Sequence, residues 1–141
     1  MKNRIYYMLA AALLTLGLLA GCKSLTPVEA TKLAGDETRT LIREQVADEA
    51  KARQMIVLVD QLEKNLLAYV EVQAAHNKAL RAKNADYDAS REELQGLYDA
   101  FNRDTRALGM QIARTDLAMK KLATPQEWVV ISKPKHRIGG F

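Results

Sequence analysis

Apolar positions along the chain fall into three regimes. Ile5 to Leu19 is almost continuously apolar, broken by Thr15 and softened by Tyr6 and Tyr7. From Met55 onward the spacing turns helical. Met55, Val59, Leu62, Leu66 and Tyr69 alternate four and three residues apart, and the register continues through Gln73 and His76 to Leu80. A second stripe runs Tyr87, Ser90, Leu94, Leu97 and Phe101, then resumes at Leu108, Ile112, Thr115, Met119 and Leu122. The extra four-residue step through Thr105 is a stutter, which locally unwinds a supercoil. Two such stripes are the seams of a helix pair or coiled coil. Between Pro27 and Met55 the apolar positions are sparse and mostly small, with Ala47, Ala50 and Ala52.

Punctuation supports an all-α body over residues 28–122. No proline interrupts the stretch from Pro27 to Pro125, and good helix formers fill it. Thr26-Pro27-Val28-Glu29 places a capping threonine, a proline at the first helical position and a glutamate at the third. Lys120 and Lys121 sit where cations favour a helix C-terminus, shortly before Pro125. Four acid-first pairs spaced i,i+4 lie along the body: Glu49–Arg53, Asp60–Lys64, Asp99–Arg103 and Asp116–Lys120. A break falls at Arg81 to Asp88, where Asn84 suits a left-handed helix end and Asp86 or Asp88 a cap. Ser90 with Glu93 offers a further capping box.

The favoured architecture is a long antiparallel helical hairpin, with arms of about 28–83 and 87–122 turning near 83–87. The alternative is a single helix of about 95 residues, roughly 140 Å long. In the hairpin, stripes 55–80 and 94–122 pack together. Residues 28 to about 54 are then an unpaired stalk near the membrane, with Gly35 a candidate break. So slender a core gains from oligomerisation.

The tail, residues 123–141, is a different kind of sequence. Thr124-Pro125-Gln126-Glu127 repeats the helix-start signal of Thr26 to Glu29, yet Trp128-Val129-Val130-Ile131 is aromatic and β-branched and favours a strand. Lys133, Lys135 and Arg137 follow, with Pro134 and His136 among them. An extended tail has two main outcomes open to it. It folds back with Trp128 in the helical groove, or it is a docking peptide using Trp128, Val130, Lys133, Lys135 and Arg137 on a partner's sheet edge or an anionic surface.

The N-terminal segment decides the setting. Lys2 and Arg4 precede the apolar run, the charged and apolar regions of a secretory signal. A run of about 15 residues spans roughly 23 Å as helix, short of the ~30 Å hydrocarbon core. Leu19-Ala20-Gly21-Cys22 follows, and it resembles the lipobox of bacterial lipoprotein precursors at all four positions. The resemblance implies a signal peptide over residues 1–21, recognised through Leu19, Ala20 and Gly21 and cut before Cys22. It further implies covalent diacylglycerol on the Cys22 sulfur, an N-acyl chain on its new amino group, and a lipid-anchored linker over 22–27. Two or three acyl chains anchor stably where one is marginal. Lys23, in the position where an aspartate retains such proteins in the inner membrane, implies sorting to the outer membrane. In overall plan the chain resembles the short helical lipoproteins. It lacks the terminal lysine of the major murein lipoprotein, ending Gly139-Gly140-Phe141.

Charge and composition narrow the chemistry. The formal charge of +4 falls to +2 once Lys2 and Arg4 leave. Residues 28–122 hold 15 Lys and Arg against 16 Asp and Glu, so basicity sits at the ends. A nucleic-acid partner needs a one-signed basic face and is not expected. One cysteine excludes a disulfide framework and multi-cysteine metal sites. His76 lies on the first stripe without a strong ligand three or four residues away, and His136 stands among cations. No phosphate loop or local triad occurs, so neither an enzyme, a metal, a cofactor nor a small-molecule substrate is expected. The expectation is an outer-membrane lipoprotein facing the periplasm, a structural tether, spacer or accessory subunit with a protein partner or a second copy of itself. Its rivals are a surface-facing binding module, such as an inhibitor or exclusion factor, and a non-covalent peptidoglycan binder working through the tail.

Overall fold

The computed structural model describes residues 25–134. They form four helices: α1, Pro27–Gln45; α2, Glu49–Asn84; α3, Arg91–Leu122; and α4, Pro125–Ile131. The fold is all-α, with no strand among the described residues.

Each helix starts where a side chain satisfies the orphan amides of its first turn. Thr26, Ser90 and Thr124 cap α1, α3 and α4, each in a reciprocal box with the glutamate three residues on. Asp48 caps α2 by accepting the Lys51 amide at 3.0 Å. The Thr-Pro-x-Glu signature therefore starts a helix both times it occurs.

The predicted hairpin is α2 packed antiparallel on α3. The loop at residues 85–90 lies slightly later than the predicted turn. Lys83 closes it, 2.8 Å from Glu93 and 3.1 Å from Asp86. The seam follows the predicted register: Met55, Val59 and Leu62 are buried from α2, and Ile112, Thr115 and Met119 from α3. The stripes meet only over the helices: Tyr87 and Ser90, read as the start of the second stripe, are exposed in the loop and at the N-cap. Thr105 at the stutter back-bonds to the Phe101 carbonyl at 2.7 Å. Farther out the packing thins, for no residue between Asn65 and Ile112 is fully buried. There His76 stacks on Phe101 with ring centroids 4.1 Å apart and meets Tyr98 edge-on at 5.6 Å.

Two expectations are corrected. Residues 28–54 are not an unpaired stalk. The first arm breaks at 46–48, and α1 folds back antiparallel on α2. Its inner face is Thr31, Ala34, Gly35, Thr38 and Ile42, all buried. Apart from Ile42, that face is built from small and hydroxylated residues rather than large apolar ones. Small side chains let two helix backbones approach closely. Thr31 and Thr38 cost little there, since each hydroxyl donates to the carbonyl four residues back, at 2.8 and 2.7 Å.

The second correction concerns the tail. Residues 125–131 are helix α4, not an extended strand. The capping box and the proline at the first turn outweigh the β-preference of Trp128-Val129-Val130-Ile131. Those apolar residues then pack inward: Ile131 is fully buried and Trp128 lies against the core. The main core therefore sits at one end of the rod. There Ile42 of α1, Met55 and Val59 of α2, Met119 of α3 and Ile131 of α4 converge.

Candidate functional site

The residues nominated for lipid attachment and processing, Leu19, Ala20, Gly21, Cys22 and Lys23, lie outside the described residues. So do Lys135 and Arg137 of the tail. The other three tail candidates have separate fates. Trp128 and Val130 are half-buried parts of α4, and Lys133 is exposed just beyond it. Of the two outcomes left open for the tail, residues 125–134 take the fold-back, with Trp128 against the helices and Pro134 buried.

Two polar clusters join elements distant in sequence. The first is built on Arg39 of α1. Its Nε donates to Asp60 at 2.8 Å and one terminal nitrogen to Asp36 at 2.9 Å, while the other pairs with Glu63. Burial opposes the charge on Arg39, but hydrogen bonds to Glu63 and Asp60 hold its proton more firmly than usual. Gly35 makes room for this cluster, since a Cβ there would run into the Glu63 carboxylate. Three carboxylates engage all three nitrogens of one guanidinium, and the cluster acts as a clamp between α1 and α2. An open groove of about 520 Å³ runs past it over Asp60, Lys64 and Glu71.

The second cluster ties α4 to α2. Lys51 Nζ donates to both carboxylate oxygens of Glu127 at 2.8 Å. Glu127 also accepts the Thr124 amide at 2.7 Å, so one side chain caps α4 and fastens it. The Lys51 hydrogen bonds first, then the Thr124 amide, keep the Glu127 carboxyl below the usual carboxylate range.

Neither cluster was visible in sequence. Local spacing pairs Asp60 with Lys64, but Asp60 is bonded to Arg39 of α1. Lys51 and Glu127 lie 76 residues apart. The Thr-Pro-x-Glu spacing marks Glu127 as a capping residue but not as the partner of Lys51. Of the four expected i,i+4 pairs, Glu49–Arg53 forms, at 3.4 Å.

His76, on the seam as read from its spacing, is enclosed by Tyr98 and Phe101. Among the described residues no group of three or more His, Cys, Asp or Glu is placed to hold a metal ion. No described helix is long and apolar enough to cross a membrane. No protein-family model, curated protein or solved structure matches the chain.

Proposed function

We propose that the chain is a lipid-anchored protein of the bacterial cell envelope. Its helical bundle, held at the outer membrane through Cys22 and facing the periplasm, is an accessory or tethering subunit of an envelope complex. The observation that carries this reading is Leu19-Ala20-Gly21-Cys22. The sole cysteine of the chain stands where the acyl acceptor belongs, behind a charged and then apolar segment. The start of the fold agrees with it. The α1 helix is capped at Thr26, so the bundle begins within a few residues of Cys22. No catalytic role is assigned. The clamps at Arg39 and Glu127 hold helices together, and neither places a nucleophile beside a base.

Cys22→Ser expressed in a Gram-negative host tests the reading. It predicts loss of lipid labelling, an uncut precursor and loss of the protein from outer-membrane fractions. Normal processing of that variant would defeat it. Protease treatment of intact cells separates the periplasmic subunit from a surface-facing binding module, because only the latter is cleaved.

A further inference from the structure

The tether and the helix directions together restrict how an anchored molecule can sit. Along the α1–α2 interface Arg39 meets Asp60 and Glu63, Gly35 abuts Glu63, and Thr31 and Leu66 line one small cavity. The two helices therefore run antiparallel in steady register, which carries Pro27 to a position opposite about Val70. The start of α1 is thus part-way along the rod, not at either end. Beyond that point α2 continues to Asn84, about 14 residues or ~21 Å at 1.5 Å each. In the other direction the 19 residues of α1 run ~28 Å to the corner at 46–48.

Against these lengths stands the reach of the anchor. From Cys22 to Pro27 is five residues, at most ~18 Å fully extended whatever path they take. A relaxed chain of that length averages about 12 Å. A rod standing with its 85–90 loop toward the membrane needs ~21 Å of clearance for the hairpin that projects past Pro27. A rod standing the other way needs ~28 Å. Neither fits. Driving either end into the bilayer is no remedy, for the corner end exposes Arg43, Glu44, Asp48, Glu49 and Arg53. The loop end carries Lys83, Asp86, Asp88, Arg91, Glu92 and Glu93, whose charges are costly in hydrocarbon.

We infer that the anchored protein lies along the bilayer surface, with the lipid headgroups flanking the rod from the 46–48 corner to the 85–90 loop. This rests on the proposed acylation of Cys22 and sharpens it. A rod lying down cannot hold a second structure away from the membrane. The spacer role therefore falls away, and that of a subunit acting at the membrane surface stays.

The test uses the full acylated protein, purified from membranes and reconstituted in vesicles of phosphatidylethanolamine and phosphatidylglycerol. Its Cys22 sulfur is blocked as a thioether, so new cysteines are the sole thiols. Ala47→Cys and Tyr87→Cys, both at exposed positions, mark the two ends. Each is labelled with a donor dye, and energy transfer to a headgroup acceptor gives its height above the bilayer. The two sites are about 54 Å apart along the 36 residues of α2. For a lying rod the two heights differ by less than ~30 Å, the limit a relaxed anchor imposes. A larger difference, approaching ~54 Å, overturns the orientation while leaving the anchor intact. Intact mass is measured on the same sample. A protein without acyl chains on Cys22 overturns the anchor reading and the orientation with it.

Discussion

The packing of α4 is open to a direct energetic test at Ile131. This side chain is fully buried, in the cluster that joins Ile42 of α1 to Met119 of α3. Ile131→Ala removes three carbons, worth about 2.4 kcal/mol at ~0.8 kcal/mol per methylene. Incomplete collapse of the vacated space raises the loss toward the middle of the ~2–5 kcal/mol seen for such truncations. Because α4 is short and peripheral, it can settle inward, so about 2.5–3.5 kcal/mol is expected. For a domain of this size that lowers the melting temperature by roughly 10–14 °C. Val129→Ala is the control. Val129 is 63% exposed on the same helix, and its truncation should cost less than about 0.5 kcal/mol. Thermal and urea unfolding followed by circular dichroism, on the chain from Lys23 onward, measure both. If the two variants differ by less than about 0.5 kcal/mol, Ile131 is not packed and the account of the tail fails.

Three further outcomes follow from the clamps, the glycines and the seam. The Glu127 carboxyl is held below its ordinary 4.5 by Lys51 and the Thr124 amide. The unfolded chain therefore binds the extra proton between the two pKa values, and the stability Glu127 supplies is present above about 4.5 and lost as pH falls through the folded value. Glu127→Gln should be less stable than wild type at neutral pH and show a shallower acid loss in urea midpoints; an unchanged profile would break the link to Lys51. Gly35→Ala and Gly96→Ala should have opposite signs. Gly96 faces open space and gains about 0.5–1 kcal/mol as alanine, whereas at Gly35 the new methyl displaces Glu63 from Arg39 and the net effect is a loss of roughly 0.5–2 kcal/mol. Gains at both positions in chemical denaturation would mean that the Glu63 side chain moves aside from the new methyl at no net cost. His76→Ala should lose the stack on Phe101, about 0.5–1.5 kcal/mol, and speed amide exchange around residues 76–101 more than around Met55 and Met119; uniform acceleration would contradict the division between a packed end and a thinner end.

What was legible in the sequence follows from how each interaction is encoded. The α2–α3 seam could be read because large apolar residues mark both faces with the same period. The caps at Thr26 and Ser90 could be read because they are local. The α1–α2 interface was harder to read, since Ile42 is its one large apolar residue and the burial of Thr31, Gly35 and Thr38 depends on the partner helix. The tail posed a conflict between a local start signal at Thr124 and the β-preference of Trp128 to Ile131. A core waiting at the 46–48 corner favours the helix, because seven residues then deliver Ile131 and Trp128 to it together. Arg39 with Glu63 and Lys51 with Glu127 are long-range pairs that local spacing does not encode.

The lipid anchor is the claim on which function and orientation both rest, and mass spectrometry of the mature N-terminal peptide from a Gram-negative host tests it most directly. A peptide that begins at Cys22 and carries the added mass of a diacylglyceryl group, with or without an N-acyl chain, is the predicted result. A peptide that runs unmodified through Leu19-Ala20-Gly21-Cys22 would contradict it.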